Sequence, residues 1–419
     1  MNADLILTGA LVVTMDEQRR LLEDGAVAVA GDRIAAVGPS AEILAAWSAP
    51  RTIDCQGNLL VPGLVDCLGY AGRTLVHGPS ADRPVEGTRA VSRELKAKDE
   101  GFWAEEGRQN ARQSLFFGIT TVHRLMPSLS SPATKASAYR KALEAESIRA
   151  LVSLCPDLDA DDEEYARQLE ECLLAAGEPG NMLCVKAFGP EDVFPARVSP
   201  ELPPTRLEER ARRIAWALQD LPGDRRALAQ FSGGELRAFA ALAPQLLRRA
   251  MVLTGMNGAG FDEISMMRDA GHSFLHSPQT YLPDAHFIHI LFEGIPCGLT
   301  PASLSERYPC DLLLAARRAM LQEITTYDDY HYLPSGKALE LLTIEAAQAL
   351  GLQDEVGSIE AGKRADLCLF GWKTPAMAPN FMPVQTMILR GYGQDIGTVV
   401  AGGRIVKENG QLLGSGKEA

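Results

Sequence analysis

Pro62-Gly63-Leu64-Val65-Asp66-Cys67-Leu68-Gly69-Tyr70-Ala71-Gly72-Arg73-Thr74-Leu75-Val76-His77-Gly78 is the stretch on which the fold turns. The apolar run Leu59-Leu60-Val61 leads into it, and Gly63–Asp66 has the composition of a short buried strand. In an extended chain Leu68 and Tyr70 share one face while Cys67 turns to the other. Downstream, short apolar runs alternate with amphipathic helices. Candidate strands are Thr120–His123, Ala150–Leu154, Met182–Lys186, Ala227–Phe231, Met251–Leu253, Ser273–His276 and Pro296–Leu299. Together with the first strand they give the pattern of parallel β/α units, an α/β fold closing into a (β/α)8 TIM barrel over residues 62–355. Helices are expected at Phe102–Phe116, Asp161–Ala176, Arg206–Asp220, Gly234–Leu247, Asp262–Asp269, Asp311–Gln322 and Ser335–Ala349.

Both chain ends have β character. Leu5-Ile6-Leu7 and Leu11–Met15 flank a turn signal at Thr8-Gly9-Ala10, and Gly31-Asp32 joins two runs as a hairpin. In the tail, Ala365–Phe370, Thr386–Leu389 and Ile396–Val400 are strand-like, with turns at Gly402-Gly403 and Asn409-Gly410. Isolated hairpins are marginal in water, so these strands need a partner sheet. Residues 1–61 and 356–419 are therefore expected to form one composite β-sandwich beside the barrel.

Ordinary hydrophobic content, 46%, and charged content, 23%, fit a soluble globular protein. A net charge of −13 argues against nucleic acid or an anionic membrane as partner. None of the 8 cysteines forms a C-x-x-C pair, so zinc-ribbon and redox motifs are absent and buried free thiols are expected. The N-terminus carries no charged leader with an apolar core, which points to a cytoplasmic protein.

The opening stretch resembles the first barrel strand of the amidohydrolase superfamily, in the branch of chlorohydrolases, cytosine deaminases and guanine deaminases. There the run reads P-G-L-V-D-x-H-x-H-x-G. Val356-Gly357-Ser358-Ile359-Glu360-Ala361-Gly362-Lys363-Arg364-Ala365-Asp366-Leu367 is similar to the family's G-S-I-x-x-G-K-x-A-D-L run, and Gly402–Val406 to its closing V-x-G-x-x-V. The resemblance implies a metal held by the first-strand histidine pair, a His on strand five, a His on strand six and an Asp on strand eight. A Glu beside the strand-five His would move protons. Here the first pair falls on Leu68 and Tyr70. The strand-five His falls on Gln230 and the Glu on Gly233. The strand-six histidines fall on Gly255 and Gly258, and the Asp on Ala302. No histidine lies between His123 and His272, so no register of strands five and six restores a His ligand. The resemblance therefore predicts the scaffold without its metal: no metal site and no cofactor.

Other side chains at the strand ends complete the candidate pocket. His276 sits in Phe274-Leu275-His276-Ser277-Pro278, similar to the family's x-x-H-C-P, as a pocket residue. His123 and Lys186 end strands two and four and face the same mouth. His272 follows Gly271 in a loop and is expected to be exposed. His286-x-x-His289 reads as a polar pair on a helix surface. The candidate pocket is thus Leu68, Tyr70, His123, Lys186, Gln230, Gly233, Gly255, His276 and Ala302, with no catalytic residue assigned.

The first reading is a pseudoenzyme: a non-metal-dependent binding or assembly protein, acting as a homodimer or beside an active paralogue. The alternative is a divergent hydrolase or deaminase acting on C–N bonds of a small nitrogenous compound without the usual zinc. Tyr70, Gln230, Lys186, His276 and His123 would then supply acid, base and hydrogen bonds. A third reading, a metal-dependent deaminase in another register, is opposed by the missing histidines.

Overall fold

The computed structural model describes every residue except 77–83, 130, 188–203, 279–286, 302–309, 373–374, 376, 379–380 and 415–419. The chain begins in five strands, Leu5–Val13 (β1), Leu21–Ala30 (β2), Arg33–Pro39 (β3), Arg51–Asp54 (β4) and Asn58–Pro62 (β5). Eight parallel strands follow in sequence order: Leu64–Tyr70 (β6), Ile119–Leu125 (β7), Arg149–Leu154 (β8), Asn181–Lys186 (β9), Ala227–Phe231 (β10), Val252–Gly255 (β11), Ser273–His276 (β12) and Cys297–Leu299 (β13). Leu367–Gly371 (β14), Ile396–Ala401 (β15), Arg404–Glu408 (β16) and Gln411–Leu412 (β17) close the chain.

β6 to β13 form a nearly closed TIM-like barrel. Its interior holds an apolar cluster of Val65, Leu68, Leu125, Leu151, Met182, Leu228, Val252 and Leu275. The seam between first and last strands is closed by side chains. The Thr300 hydroxyl, with one proton to give, lies between two acceptors, Asp66 Oδ1 at 2.8 Å and the Leu68 carbonyl.

The chain ends meet in one sheet of nine strands, ordered β17-β16-β15-β14-β5-β1-β2-β3 with β4 on β1. The junction is the antiparallel pair β5–β14, with Leu60 opposite Leu369. Alternation gives these two strands two buried faces. Leu60, Leu367 and Leu369 join a core of the sheet itself, while Leu59, Val61, Cys368 and Phe370 join the large core shared with the barrel helices. Burial on both faces explains why Leu59-Leu60-Val61 and Leu367–Phe370 read as unbroken apolar runs.

Four sequence expectations are corrected. The expected helix Ser335–Ala349 is two helices, Ser335–Glu340 and Ile344–Leu350. The chain breaks between them because the carbonyls of Leu341 and Leu342 accept from Leu299 (3.0 Å) and Val65 (2.9 Å) at the barrel seam. The second helix then plugs the barrel floor through Ala346, Ala349 and Leu350. The expected helix to Leu247 stops at Leu242 and resumes as a 3-10 turn at Pro244, whose ring cannot sit inside an α-helix. Thr386–Leu389 is helical, within Pro383–Arg390, with Pro383 in the first turn and Met387 and Ile388 buried. Thr8-Gly9-Ala10 makes no turn; β1 runs through it with a register shift between Leu7 and Ala10, a bulge that Gly9 permits at φ 79°.

Candidate active site

A TIM barrel presents its chemistry at the C-terminal ends of the strands. Tyr70 is the last residue of β6 and Gln230 the last but one of β10. β6 and β10 are the first and fifth barrel strands, on opposite walls, yet Gln230 Nε2 donates to Tyr70 Oη at 2.6 Å. A hydrogen bond between neutral groups thus crosses the barrel between two places where the family pattern has histidines. Burial pushes the Tyr70 phenol up to about 12, a lesser opposing effect being the Gln230 bond, so it stays protonated near neutrality.

Behind this bridge lies an ion pair. Lys186, at the end of β9, donates from Nζ to the Gln230 carbonyl at 2.9 Å and to Glu235 Oε2 at 3.1 Å. Its side chain is 2% exposed, and its Nζ lies 5.5 Å from the Phe231 ring centroid. Glu235 opens the helix Glu235–Leu242 directly after β10, and its Oε2 also accepts the Ser232 N–H at 2.7 Å. Sequence reasoning placed the family's proton-moving carboxylate at Gly233 and missed Glu235, two residues later. The available signal was an acid in the first turn of the helix following strand five, where the macrodipole also favours it.

Gly233 has no room for a side chain. A Cβ there would stand 2.3 Å from the carbonyl carbon of Gly258, and the Gly233 N–H donates to the Asn257 carbonyl at 2.9 Å. The loops after β10 and β11 therefore lie backbone on backbone. Gly255 ends β11 at φ 85°, opposite Phe231. Leu68 is buried in the barrel interior. Ala302 and His286 lie outside the described residues.

The histidines are not where the sequence put them. His123 is fully buried inside the barrel, two residues short of the end of β7. Its Nδ1–H donates to the Cys67 carbonyl at 2.8 Å, which leaves Nε2 to accept the Ser153 hydroxyl at 2.7 Å. Burial drives its pKa down to about 4, against the effect of the Cys67 hydrogen bond, so it is a neutral structural residue. The His276 ring alternates with Leu275, which faces the barrel core, and stacks instead on Phe287 of the outer layer, centroids 4.0 Å apart at 13°. Burial lowers its pKa to about 3. His272 is buried rather than exposed; its Nδ1 accepts the Met251 N–H at 3.2 Å, and burial lowers its pKa to about 4.

Beneath Tyr70 a second polar group fixes the strand. Arg124 donates to Asp66 Oδ2 at 2.6 Å, with both side chains 2% exposed. Arg124 also donates to Asn110 (2.9 Å) and Ser114 (3.2 Å), so the buried pair has the additional hydrogen bonds it requires. Gly69 is required here, because a Cβ would approach the Arg124 guanidinium to 2.7 Å. The loop after β6 is held by Glu106, whose carboxylate accepts the N–H groups of Gly72, Thr74 and Leu75 at 3.1, 2.9 and 2.7 Å. Cys67, on the same strand, sits in the barrel floor with Sγ 3.8 Å from the Ala346 carbonyl. Burial holds its thiol well above its usual range, which removes it as a nucleophile.

The family implies zinc at the barrel mouth. The described residues do not fit it. Leu68, Tyr70 and Gln230 offer no imidazole or carboxylate, both His123 nitrogens are engaged, and among the described residues no three His, Cys, Asp or Glu side chains group as metal ligands.

Comparison with known proteins bears on both fold and activity. Residues 287–413 match the Amidohydrolase family, and residues 25–47 match the Imidazolonepropionase-like composite domain of bacteria. A 5-methylthioadenosine/S-adenosylhomocysteine deaminase from Moorella thermoacetica is 25% identical over 93% of this chain and 91% of its own. The enzyme of the same name from Pelotomaculum thermopropionicum is 25% identical over 99% and 96%. Among solved structures, an adenosine deaminase from Xanthomonas campestris with bound zinc superposes with a TM-score of 0.79 at 18% identity, over 98% of this chain and 94% of that one. E. coli guanine deaminase gives 0.72 at 17% identity, over 97% and 98%. These findings overturn the reading of the chain as a metal-free pseudoenzyme for binding or assembly, since the relatives matched along almost the whole chain are named as deaminases. No described helix is long and apolar enough to cross a membrane. The barrel, the sheet of joined termini and the match over residues 287–413 together give the chain the fold, and over that segment the sequence pattern, of the amidohydrolases.

Proposed function

We propose that the chain is a deaminase-type hydrolase acting on the exocyclic C–N bond of a small amino-substituted nitrogen heterocycle, such as the adenine ring of a nucleoside. One observation carries the reading: the Lys186–Glu235 pair stands beside the Tyr70–Gln230 bridge at the strand ends, where this fold performs chemistry. The names of the full-length relatives support the same reaction class.

Each residue has a task its geometry suits. Glu235 Oε2 is held by Lys186 and the Ser232 N–H, and Oε1 has no hydrogen-bond partner among the described residues. Oε1 takes a proton from the attacking water as its oxygen bonds to the ring carbon, then returns it to the leaving nitrogen. The C–N bond breaks, ammonia departs and a ring carbonyl remains. Tyr70 accepts from Gln230 and so keeps its own O–H to donate to a ring nitrogen. Lys186 holds Glu235 in place through the 3.1 Å contact to its Oε2. No step here passes through a metal, because the described residues do not compose a ligand set for one.

The test is ammonia release from 5-methylthioadenosine, S-adenosylhomocysteine, adenosine, guanine and cytosine, with zinc supplied in one series and omitted in a second. Turnover of at least one amino-heterocycle, lost in Glu235→Gln, is expected. No ammonia from any of them in either series rejects the proposal.

A further inference from the structure

A cavity of about 640 Å³ lies at the other end of the barrel. It is framed by the starts of β8 and β9, the residues leading into β10, the end of the plug helix at Leu350–Leu352, and Arg364, Asp366 and Gly402 of the terminal sheet. The lining carries five arginines, Arg140, Arg149, Arg225, Arg226 and Arg364, against three acids, Glu144, Asp224 and Asp366. This local excess of positive charge stands out in a chain of net charge −13.

Three of the arginines have carboxylate partners. Arg140 pairs with Glu178 at 3.0 Å, Arg364 with Glu355 at 2.9 Å, and Arg225 with Asp224 at 3.9 Å. The other two do not. Among the described residues no carboxylate lies within ion-pair distance of Arg149 or Arg226. Among the described residues Arg226 makes one hydrogen bond, from Nη1 to the Ala349 carbonyl at 3.1 Å, and Arg149 Nε is buried with no partner. Asp366 is 6% exposed; its Oδ1 accepts the Gly402 N–H at 2.7 Å, and its Oδ2 is buried and unpartnered. Buried polar atoms are almost always satisfied, and unpaired guanidinium groups are suited to phosphate, which they bind as planar donor forks.

We infer that this cavity is a binding site for a phosphate-bearing small molecule, with Arg149 and Arg226 taking the phosphate and Asp366 accepting from a hydroxyl or amino group of the same ligand. The volume suits a mononucleotide or a sugar phosphate. The site stands apart from the Tyr70–Gln230 bridge, which lies at the opposite strand ends, so it does not depend on the proposed reaction.

The full-length protein is titrated by calorimetry with AMP, ribose 5-phosphate and inorganic phosphate, with and without saturating adenosine. On the proposed function adenosine fills the barrel mouth, and it lacks the phosphate that Arg149 and Arg226 would take, so phosphate binding that survives adenosine is assigned to this cavity. Binding of at least one phosphate that survives adenosine, and that weakens tenfold or more in both Arg149→Gln and Arg226→Gln, is the expected result. Tighter binding of AMP or ribose 5-phosphate than of inorganic phosphate assigns an organic ester; equal binding assigns free phosphate. Absence of binding by all three to the wild-type protein at millimolar concentration overturns the inference and needs no variant. So does binding that both substitutions leave unchanged, or that adenosine abolishes.

Discussion

Gln230 donates to Tyr70 at 2.6 Å across the full width of the barrel, between residues 160 apart in sequence. Opposite walls of a TIM barrel are usually joined only through packed apolar layers. Here a polar bond joins them at the active end.

Tyr70→Phe removes the acceptor and leaves the Gln230 amide, 1% exposed, with one bond fewer. A buried polar group deprived of its partner costs about 1–3 kcal/mol. The melting temperature should fall by several degrees, and Tyr70→Phe/Gln230→Leu should recover part of the loss. Additive losses in calorimetric melts of Tyr70→Phe, Gln230→Leu and the double variant would show that the bridge contributes nothing.

Glu235→Gln keeps the shape and the Ser232 hydrogen bond but cannot carry a proton. Turnover should fall by about 10²–10⁴-fold with little change in KM, as for loss of a general acid–base group. A purely structural Glu235 would instead lower the melting temperature and leave turnover per folded molecule unaltered. Steady-state kinetics beside thermal melts separate the two.

Arg124→Met leaves Asp66 buried without its cation. Breaking one side of a buried ion pair costs about 3–5 kcal/mol. Urea denaturation should show a midpoint shift of that size, and Asp66→Asn one of similar sign. A shift under 1 kcal/mol in both would mean that Asn110, Ser114 and Thr300 alone hold the strand.

Glu323 gives a pH test. Burial, with no compensating partner among the described residues, pushes its carboxyl from 4.5 up to about 7. Between these values the unfolded chain releases a proton that the folded chain keeps, so stability falls as pH rises from about 4.5 to about 7 and stays lowered above. Glu323→Gln should therefore raise the melting temperature by a few degrees at pH 8 and hardly at all at pH 4. Equal effects at both values would point to packing rather than charge.

Gly233→Ala forces a Cβ against the backbone of Gly258. Backbone cannot yield as a side chain can, so a loss of about 1–3 kcal/mol is expected from overpacking. A neutral effect in chemical denaturation would mean that the loops after β10 and β11 separate freely.

The barrel strands were legible because each buried run is local: Ala227–Phe231 and Ser273–His276 lie within their own stretch of sequence, bounded by turns. The helix break at Leu341–Thr343 was not legible, since its cause is two N–H groups, on Val65 and Leu299, that are distant in sequence. The histidines misled for a related reason. A His at a strand end reads as a pocket residue, but whether its ring enters the barrel depends on strand phase and on the partners waiting there. For His123 these were Cys67 and Ser153, and for His276 the ring of Phe287.

The sequence by itself determined the order of strands and helices, the joining of the two termini, and which residues stand where the family pattern has its ligands. Those properties follow from hydrophobic periodicity and turn chemistry, which act over a few residues. Tertiary structure alone decided that Tyr70 meets Gln230, that Glu235 rather than position 233 brings a carboxylate to Lys186, and that Arg149, Arg226 and Asp366 line one cavity. Each of these joins residues from separate elements of the chain, and only the folding of the barrel and its adjoining sheet brings them together.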